Sequence, residues 1–251
     1  MEIEARDLQF SRGDRPIFRG LSCRFPRGKI SVVAAASGGG KTTLLRMIAC
    51  LLRPDSGAIL VDGTRDLVSL SRAESDAWRH HVGMLFQFGA LLDMLTLYDN
   101  VALPLREHSK LTEAEIRDEV RRVFEAVGLE GVDQLLPGEL SGGMVKRAGL
   151  ARALIEKPEV LLCDEPFSGL DPPTVRKVEE LLQAVNERTG ATVVITSHHP
   201  LSTMRIADHL VMIGEGRAVE GTPQTLVRED ARVADFFEEA LSPPAVARGA
   251  S

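Results

Sequence analysis

The chain has 251 residues, 44% of them hydrophobic and 26% charged, with a formal net charge of −6. That length suits one large α/β domain with a substantial core, and the acidic balance excludes the basic footprint of a nucleic-acid binder. Cys23, Cys50 and Cys163 lie far apart and without metal-ligand spacing, so a disulfide framework is excluded and buried thiols in a reducing compartment are expected.

The first ten residues, "MEIEARDLQF", are acidic where a secretory signal is basic and then apolar, and no uninterrupted apolar span of about 18 residues follows anywhere. A cytoplasmic location is the expectation. Residues 2 to 35 alternate in polarity around "SRGDRP" and "PRGK", which predicts short antiparallel strands joined by turns, and "KISVVAAA" reads as a buried strand. From Lys41, the apolar positions Leu44, Leu45, Ile48, Leu51 and Leu52 follow helical spacing. "DSGAILVDG" reads as a hairpin, Ser71 and Glu74 as a capping box, and "HVGMLF" as a strand ending at Gln87. A second box, Thr112 to Glu115, opens a helix that stops at Gly128.

Two strands follow, "VLLCD" and "ATVVITS", separated by a helix that starts at Asp171-Pro172. Strands separated by helices predict a parallel sheet. "DHLVMIGEGRAVEG" reads as a hairpin, and the last helix puts Val233, Phe236, Phe237 and Leu241 near one face, which either grips a second copy or folds back on its own domain. Residues 242–251 are predicted to be a disordered tail.

The chemistry concentrates in four places. "AASGGGKTT" departs from the phosphate-loop pattern G-x-x-x-x-G-K-[ST] by placing Ala35 at the first glycine, yet Ser37, Gly38, Gly39, Gly40, Lys41, Thr42 and Thr43 are intact. Main-chain amides of such a loop and of the helix behind it point at one concavity, where polyphosphate is the natural ligand. Lys41 then reaches the β and γ phosphates and the Thr42 hydroxyl is placed for Mg²⁺. Ala35 is expected to be tolerated, because alanine costs little at negative φ, while the additional Gly39 is expected to loosen the unbound loop. In "VLLCDEP", Asp164 stands where a metal-positioning carboxylate belongs, and Glu165 is a candidate to polarise a water for attack on a γ-phosphate. In "ELSGGMVKRAGLARAL", Ser141 caps a helix whose first amides, with Gly142 and Gly143, can approach a phosphate. Gln87 is followed by Phe88, Leu91, Leu92, Met94, Leu95, Leu97 and Tyr98, most of them expected in helical core and a minority lining a groove for a membrane subunit's helix.

The order "SGGGKTT", Gln87, "LSGGM", "LLCDEP", "SGLD", "SHH" resembles the nucleotide-binding subunit of an ABC transporter over nearly the whole chain. Within that family, "LFQFGALLDMLTLYDNVALPLREH" with "LSGGM" is most similar to the ATPase of bacterial phospholipid transporters that maintain outer-membrane lipid asymmetry. The resemblance implies a P-loop NTPase of class α/β, in one domain over residues 1–241. Its parts would be a mostly parallel central sheet, an N-terminal antiparallel β subdomain and a helical subdomain inserted at about 89–150. It implies ATP and Mg²⁺ as ligands, with Thr42, Gln87 and Asp164 at the metal, Glu165, His198 and Gln87 catalytic, and Asp171 in the loop joining two sites. It implies a head-to-tail homodimer in which Lys41 of one copy and Ser141 of the other enclose each nucleotide. Integral membrane permease subunits and lipid-binding accessory subunits would be partners, nucleic acid would not, and the chain would sit peripherally on the inner side of the cell membrane.

Three positions depart from the family pattern. Arg12 stands where many relatives stack an aromatic ring on adenine, with Phe10 two residues away; a guanidinium plane stacks on a base as well, so Arg12 is the candidate platform. Met144 replaces a common glutamine and cannot donate a hydrogen bond, and His199 stands where aspartate is frequent. A relative acting on DNA or ribosomes would show a coiled-coil insertion, a tandem cassette or a basic surface, and none is visible. Intact Glu165 and His198 argue against a silent regulatory cassette.

Overall fold

The computed structural model describes residues 1–241; the tail expected at 242–251, and the Leu241 side chain, lie outside the described residues. In chain order the elements are β1 (Ile3–Arg12), β2 (Arg15–Phe25), β3 (Ile30–Ala35), α1 (Lys41–Ile48), β4 (Ser56–Val61), β5 (Arg65–Asp66), α2 (Arg72–Arg79) and β6 (Val82–Leu85). Then come α3 (Leu97–His108), α4 (Glu113–Ala126), α5 (Gly142–Leu154), β7 (Val160–Asp164), α6 (Pro172–Thr189), β8 (Thr192–Thr196), α7 (Pro200–Ile206), β9 (His209–Gly214), β10 (Arg217–Gly221), α8 (Pro223–Glu229) and α9 (Ala231–Leu241).

Among the described residues the strands form two sheets. One is antiparallel, in the order β2-β1-β4-β5; the other runs β10-β9-β3-β8-β7-β6, with every neighbouring pair parallel except β10 on β9. The inner strands β3, β7 and β8 of the larger sheet are buried throughout, as their continuous apolar runs require. Side chains alternate across it: Val32, Leu161, Cys163 and Val193 join a core with α3 to α6 and α9, while Val33, Leu162 and Val194 join a second core with β1, β2, α1 and Trp78. Burial pushes the Cys23 and Cys163 thiols up, out of reach of ionisation at neutral pH, and no cysteine is bonded. Among the described residues no helix is long and apolar enough to cross a membrane.

Local signals hold where they are local. In α2, the Ser71 N–H donates to Glu74 Oε2 at 2.8 Å and the Glu74 N–H to Ser71 Oγ at 3.3 Å, and Thr112 with Glu115 repeats the reciprocal pair at 2.7 and 3.4 Å. The helix from Lys41 is shorter than its apolar spacing predicts. Cys50 adopts φ +54°, and the Leu51 N–H turns back to the Arg46 carbonyl at 2.8 Å, so Leu51 leaves the helix half exposed. Trp78 Nε1 then donates to the free Ile48 carbonyl at 2.7 Å.

The apolar stretch after Gln87 also departs from expectation. Its helix begins only after the Thr96 cap; Leu97 is buried and Leu91 and Tyr98 pack on the core, but Phe88, Leu92 and Met94 are exposed on an irregular turn. Buried Asn100 holds that turn: its Oδ1 accepts the Leu92 N–H at 2.7 Å, and its Nδ2 lies within 3.1 Å of the Leu92, Leu95 and Thr96 carbonyls. At the other end, Val233 and Phe237 of α9 are buried in the chain's own core, with Phe236 partly so; this is the folded-back arrangement.

Candidate functional site

The glycine loop joins β3 to α1 at the carboxyl edge of the parallel sheet, where open α/β sheets take ligands. Gly38 (φ +77°) and Gly40 (φ +95°) use the left-handed region, and a Cβ on Gly40 would stand 2.6 Å from the Phe18 ring. Gly40 caps α1 with no side-chain hydrogen bond and no acidic residue follows in the first turn, so the leading amides of α1 face the cleft without an internal acceptor. That is the electrostatic setting for an anion.

Ala35 is a strand residue outside the positive-φ set, paired with Ile213, and its carbonyl accepts the Lys41 ammonium at 2.9 Å. Gly39 also has a steric role that its sequence position does not show. A Cβ at Gly39 would lie 2.8 Å from the Ala35 Cβ and 3.0 Å from the Ala36 carbonyl oxygen, so the middle glycine of the three makes room for the alanine. Gly39→Ala should therefore weaken binding of a fluorescent ATP analogue by about tenfold or more, the overpacking range of about 1–3 kcal/mol. Adding Ala35→Gly should recover part of the loss, whereas Ala35→Gly alone should alter hydrolysis by less than about threefold.

Asp164, at the end of β7, is buried and accepts Thr42 Oγ1–H at 2.9 Å and Thr196 Oγ1–H at 2.7 Å. Thr196 is its register partner on β8 and also accepts the Glu165 N–H at 2.9 Å. Glu165 itself sits at φ +49°, a strained setting for a non-glycine residue, and the residue is 7% exposed. One of its oxygens lies 3.7 Å from Lys41 Nζ; the other lies 2.7 Å from Nδ1 of His198, whose own ring is exposed. Thr42 and Asp164 supply the close-set hard oxygen donors that Mg²⁺ prefers, so the residues present fit that ion.

The predicted residues fall in two clefts. Ser37 to Thr43, Arg12, Gln87, Glu165 and His198 border one of about 670 Å³, with Asp164 beneath it; Phe10 is not on its wall and packs toward Phe18. Ser141, Gly142, Gly143 and Asp171 border a separate cleft of about 190 Å³. Ser141 caps α5 by accepting the Met144 N–H at 3.4 Å, Asp171 caps α6 by accepting the Thr174 N–H at 3.2 Å, and hydrogen bonding from Thr174 holds the Asp171 carboxyl below its usual range. Met144 packs on the core, and half-buried His199 lies edge-on to Phe167; burial, with His198 beside it, pushes its imidazole pKa down.

Sequence reasoning missed three residues. Arg15 borders the large cleft with its guanidinium over Gly38, and Thr196 ties the Asp164 carboxylate and the Glu165 main chain from the neighbouring strand. Lys146 is buried on α5 and donates to the main-chain carbonyls of Gln87 and, at 3.0 Å, of Glu165; burial pushes its ammonium pKa down, with Glu165 and Asp164 opposing. Its signal was a lysine in line with Gly149, Leu150 and Ala153 on the buried face of α5.

Residues 18–168 match the family described as ABC transporter. The intermembrane phospholipid transport system ATP-binding proteins MlaF of Haemophilus influenzae and of Escherichia coli K12 are each 42% identical to the chain over 238 residues, 94% of it and 90% and 88% of theirs. The probable ribonucleotide transport ATP-binding protein mkl of Mycobacterium leprae is 42% identical over 90% of this chain and 67% of its own. Among solved structures, the dimeric, post-hydrolysis state of the ATP-binding cassette MJ0796 bound to ADP and Pi superposes with a TM-score of 0.81 at 27% identity, covering 88% of this chain and 98% of that one.

Proposed function

The chain belongs to the ABC transporter family as an ATP-hydrolysing subunit, and from that premise we propose that it powers movement of phospholipid between membranes of a bacterial envelope. The observation that carries the mechanism is the division of site residues between two clefts. Neither cleft encloses a nucleotide alone; two copies head to tail bring Lys41 of one against Ser141 of the other. Arg12 stacks on the base, the residue 38–42 amides and Lys41 hold the phosphates, and the Ser141 cap with the first amides of α5 closes over the γ-phosphate. Asp171 spans the junction of the two sites.

Thr42, Asp164 and Gln87 would hold Mg²⁺, which when bound neutralises charge developing on the phosphate oxygens. Glu165 is shared between Lys41 and His198. A γ-phosphate competes for the Lys41 ammonium and the His198 imidazole, leaving the carboxylate to orient a water. The water oxygen bonds to the γ-phosphorus, the bond to the β–γ bridging oxygen breaks, Glu165 takes the water's proton, and ADP and inorganic phosphate separate.

Exposed Phe88, Leu92 and Met94 beside Gln87 fit the apolar cytoplasmic helix of a permease, which would hold the chain peripherally at the inner face of the membrane. Affinity purification from solubilised membranes should recover an integral membrane protein with bound phospholipid. The Phe88→Asp/Met94→Asp double variant should lose that recovery while keeping its thermal midpoint and ATP affinity. Recovery of wild-type chain without any integral membrane protein would overturn the proposal, and a complex enriched in ribonucleotide rather than lipid would move the cargo to that of the mycobacterial relatives' name.

A further inference from the structure

We propose that His80, His108 and Glu156 form a binding site for a divalent transition cation of the zinc type, outside the nucleotide cleft, that staples α3 to the α2–β6 junction. The three residues are remote in sequence and come from three element ends: His80 is the C-cap of α2, His108 the last residue of α3, and Glu156 follows the C-cap of α5. Their ligand atoms all lie within 4.8 Å of one another.

Two imidazoles approach the same carboxylate oxygen. His108 Nδ1 is 3.0 Å and His80 Nδ1 3.6 Å from Glu156 Oε1, and the rings meet at 4.5 Å and 86°, edge against face. Metal–ligand bonds of zinc length in tetrahedral geometry set ligand atoms about 3.3 Å apart, which the two separations bracket. Other histidine–carboxylate contacts in the chain lack this convergence: His81 meets Glu159 at 2.9 Å and His209 meets Glu220 at 3.3 Å, one ring to one acid. Two imidazoles and one carboxylate are the donor set that favours zinc, nickel, cobalt or copper over magnesium or calcium. The side chains are partly exposed, so a cation can enter from solvent and a water can complete its coordination.

The position gives binding a mechanical effect. α3 follows the exposed Phe88–Met94 turn, and β6 leads directly to Gln87. A cation joining His80 to His108 locks these two flanks of the turn together.

The test uses the full chain, free of any histidine tag and stripped with chelator, titrated with Zn²⁺ against a chromophoric competitor. One equivalent should bind in about the micromolar range or tighter. His108→Gln and, separately, His80→Gln should weaken binding by about tenfold or more, and His81→Gln should not. At a hundredfold excess over Kd, Zn²⁺ should raise Tm by about 5 °C or more in wild type and not in His108→Gln. Unchanged affinity in both His80→Gln and His108→Gln, with folding verified by circular dichroism, would place the cation elsewhere and overturn the proposal. So would absence of stoichiometric binding below about 100 µM, which would leave the trio an ion-pair cluster.

Discussion

Glu165→Gln should lower steady-state ATP hydrolysis by at least about a hundredfold while leaving ATP binding intact or tighter. The substitution keeps side-chain size at a position 7% exposed, so neither cavity nor clash arises. What it removes is the acceptor for the water's proton and a negative charge 3.7 Å from Lys41. That charge repels an incoming γ-phosphate and competes with it for the ammonium. Its loss therefore favours the nucleotide-bound dimer, which should accumulate in size-exclusion chromatography with ATP and Mg²⁺. Turnover within about threefold of wild type would show that another group aims the water.

Lys146→Met should cut kcat by about tenfold or more with ATP affinity within about threefold of wild type. The lysine is not among the residues that border the large cleft; it joins the main chains of Gln87 and Glu165. Methionine fills the same space but donates nothing, so the Gln87 carbonyl loses its donor and the Glu165 carbonyl keeps only the Ser168 N–H, at 3.2 Å. Leaving a buried acceptor unpaired costs about 1–3 kcal/mol, partly offset by no longer burying a cation, so a net loss of about 1–2 kcal/mol and a Tm lower by about 2–8 °C are expected. Because Lys146 lies on the helix that Ser141 caps, it is placed to transmit displacement of α5 to both carbonyls. Lys146→Arg, which keeps donors for both, should recover most of kcat. A Lys146→Met enzyme with the wild-type kcat and a lowered Tm would assign the residue to stability alone.

Much of this architecture is legible in residue order, and the illegible part has definite causes. Capping boxes at Ser71 and Thr112 and the Asp171-Pro172 start of α6 are contacts within four residues, so composition and spacing carry them. The end of α1 is set by Cys50 in a left-handed conformation, which that residue type does not announce, while Leu51 and Leu52 continue the helical spacing past it. For the stretch Phe88 to Tyr98 the sequence predicts mostly helical core with a minority in a groove, but not which residues are exposed or that the helix waits for Thr96. Gly39 reads as surplus until the Ala35 methyl is seen against it. Motif order brings out Lys41, Thr42, Asp164 and Glu165, which the structure sets together at one cleft, but Thr196 and Lys146 reach them through strand register and through main-chain carbonyls, which no linear pattern records.

Asn100 has a bearing on how firmly a membrane partner must hold this chain. Restricting the backbone of one residue costs about 1–2 kcal/mol of conformational entropy. A floppy turn would incur that cost at each position frozen on contact, and a patch as small as three apolar side chains could scarcely offset it. With one interior amide already immobilising Leu92, Leu95 and Thr96, the penalty is met during folding. Engagement can then be tight enough to transmit force yet shallow enough to let go, and erasing Asn100 would make recognition a disorder-to-order transition without touching an atom of the contact surface.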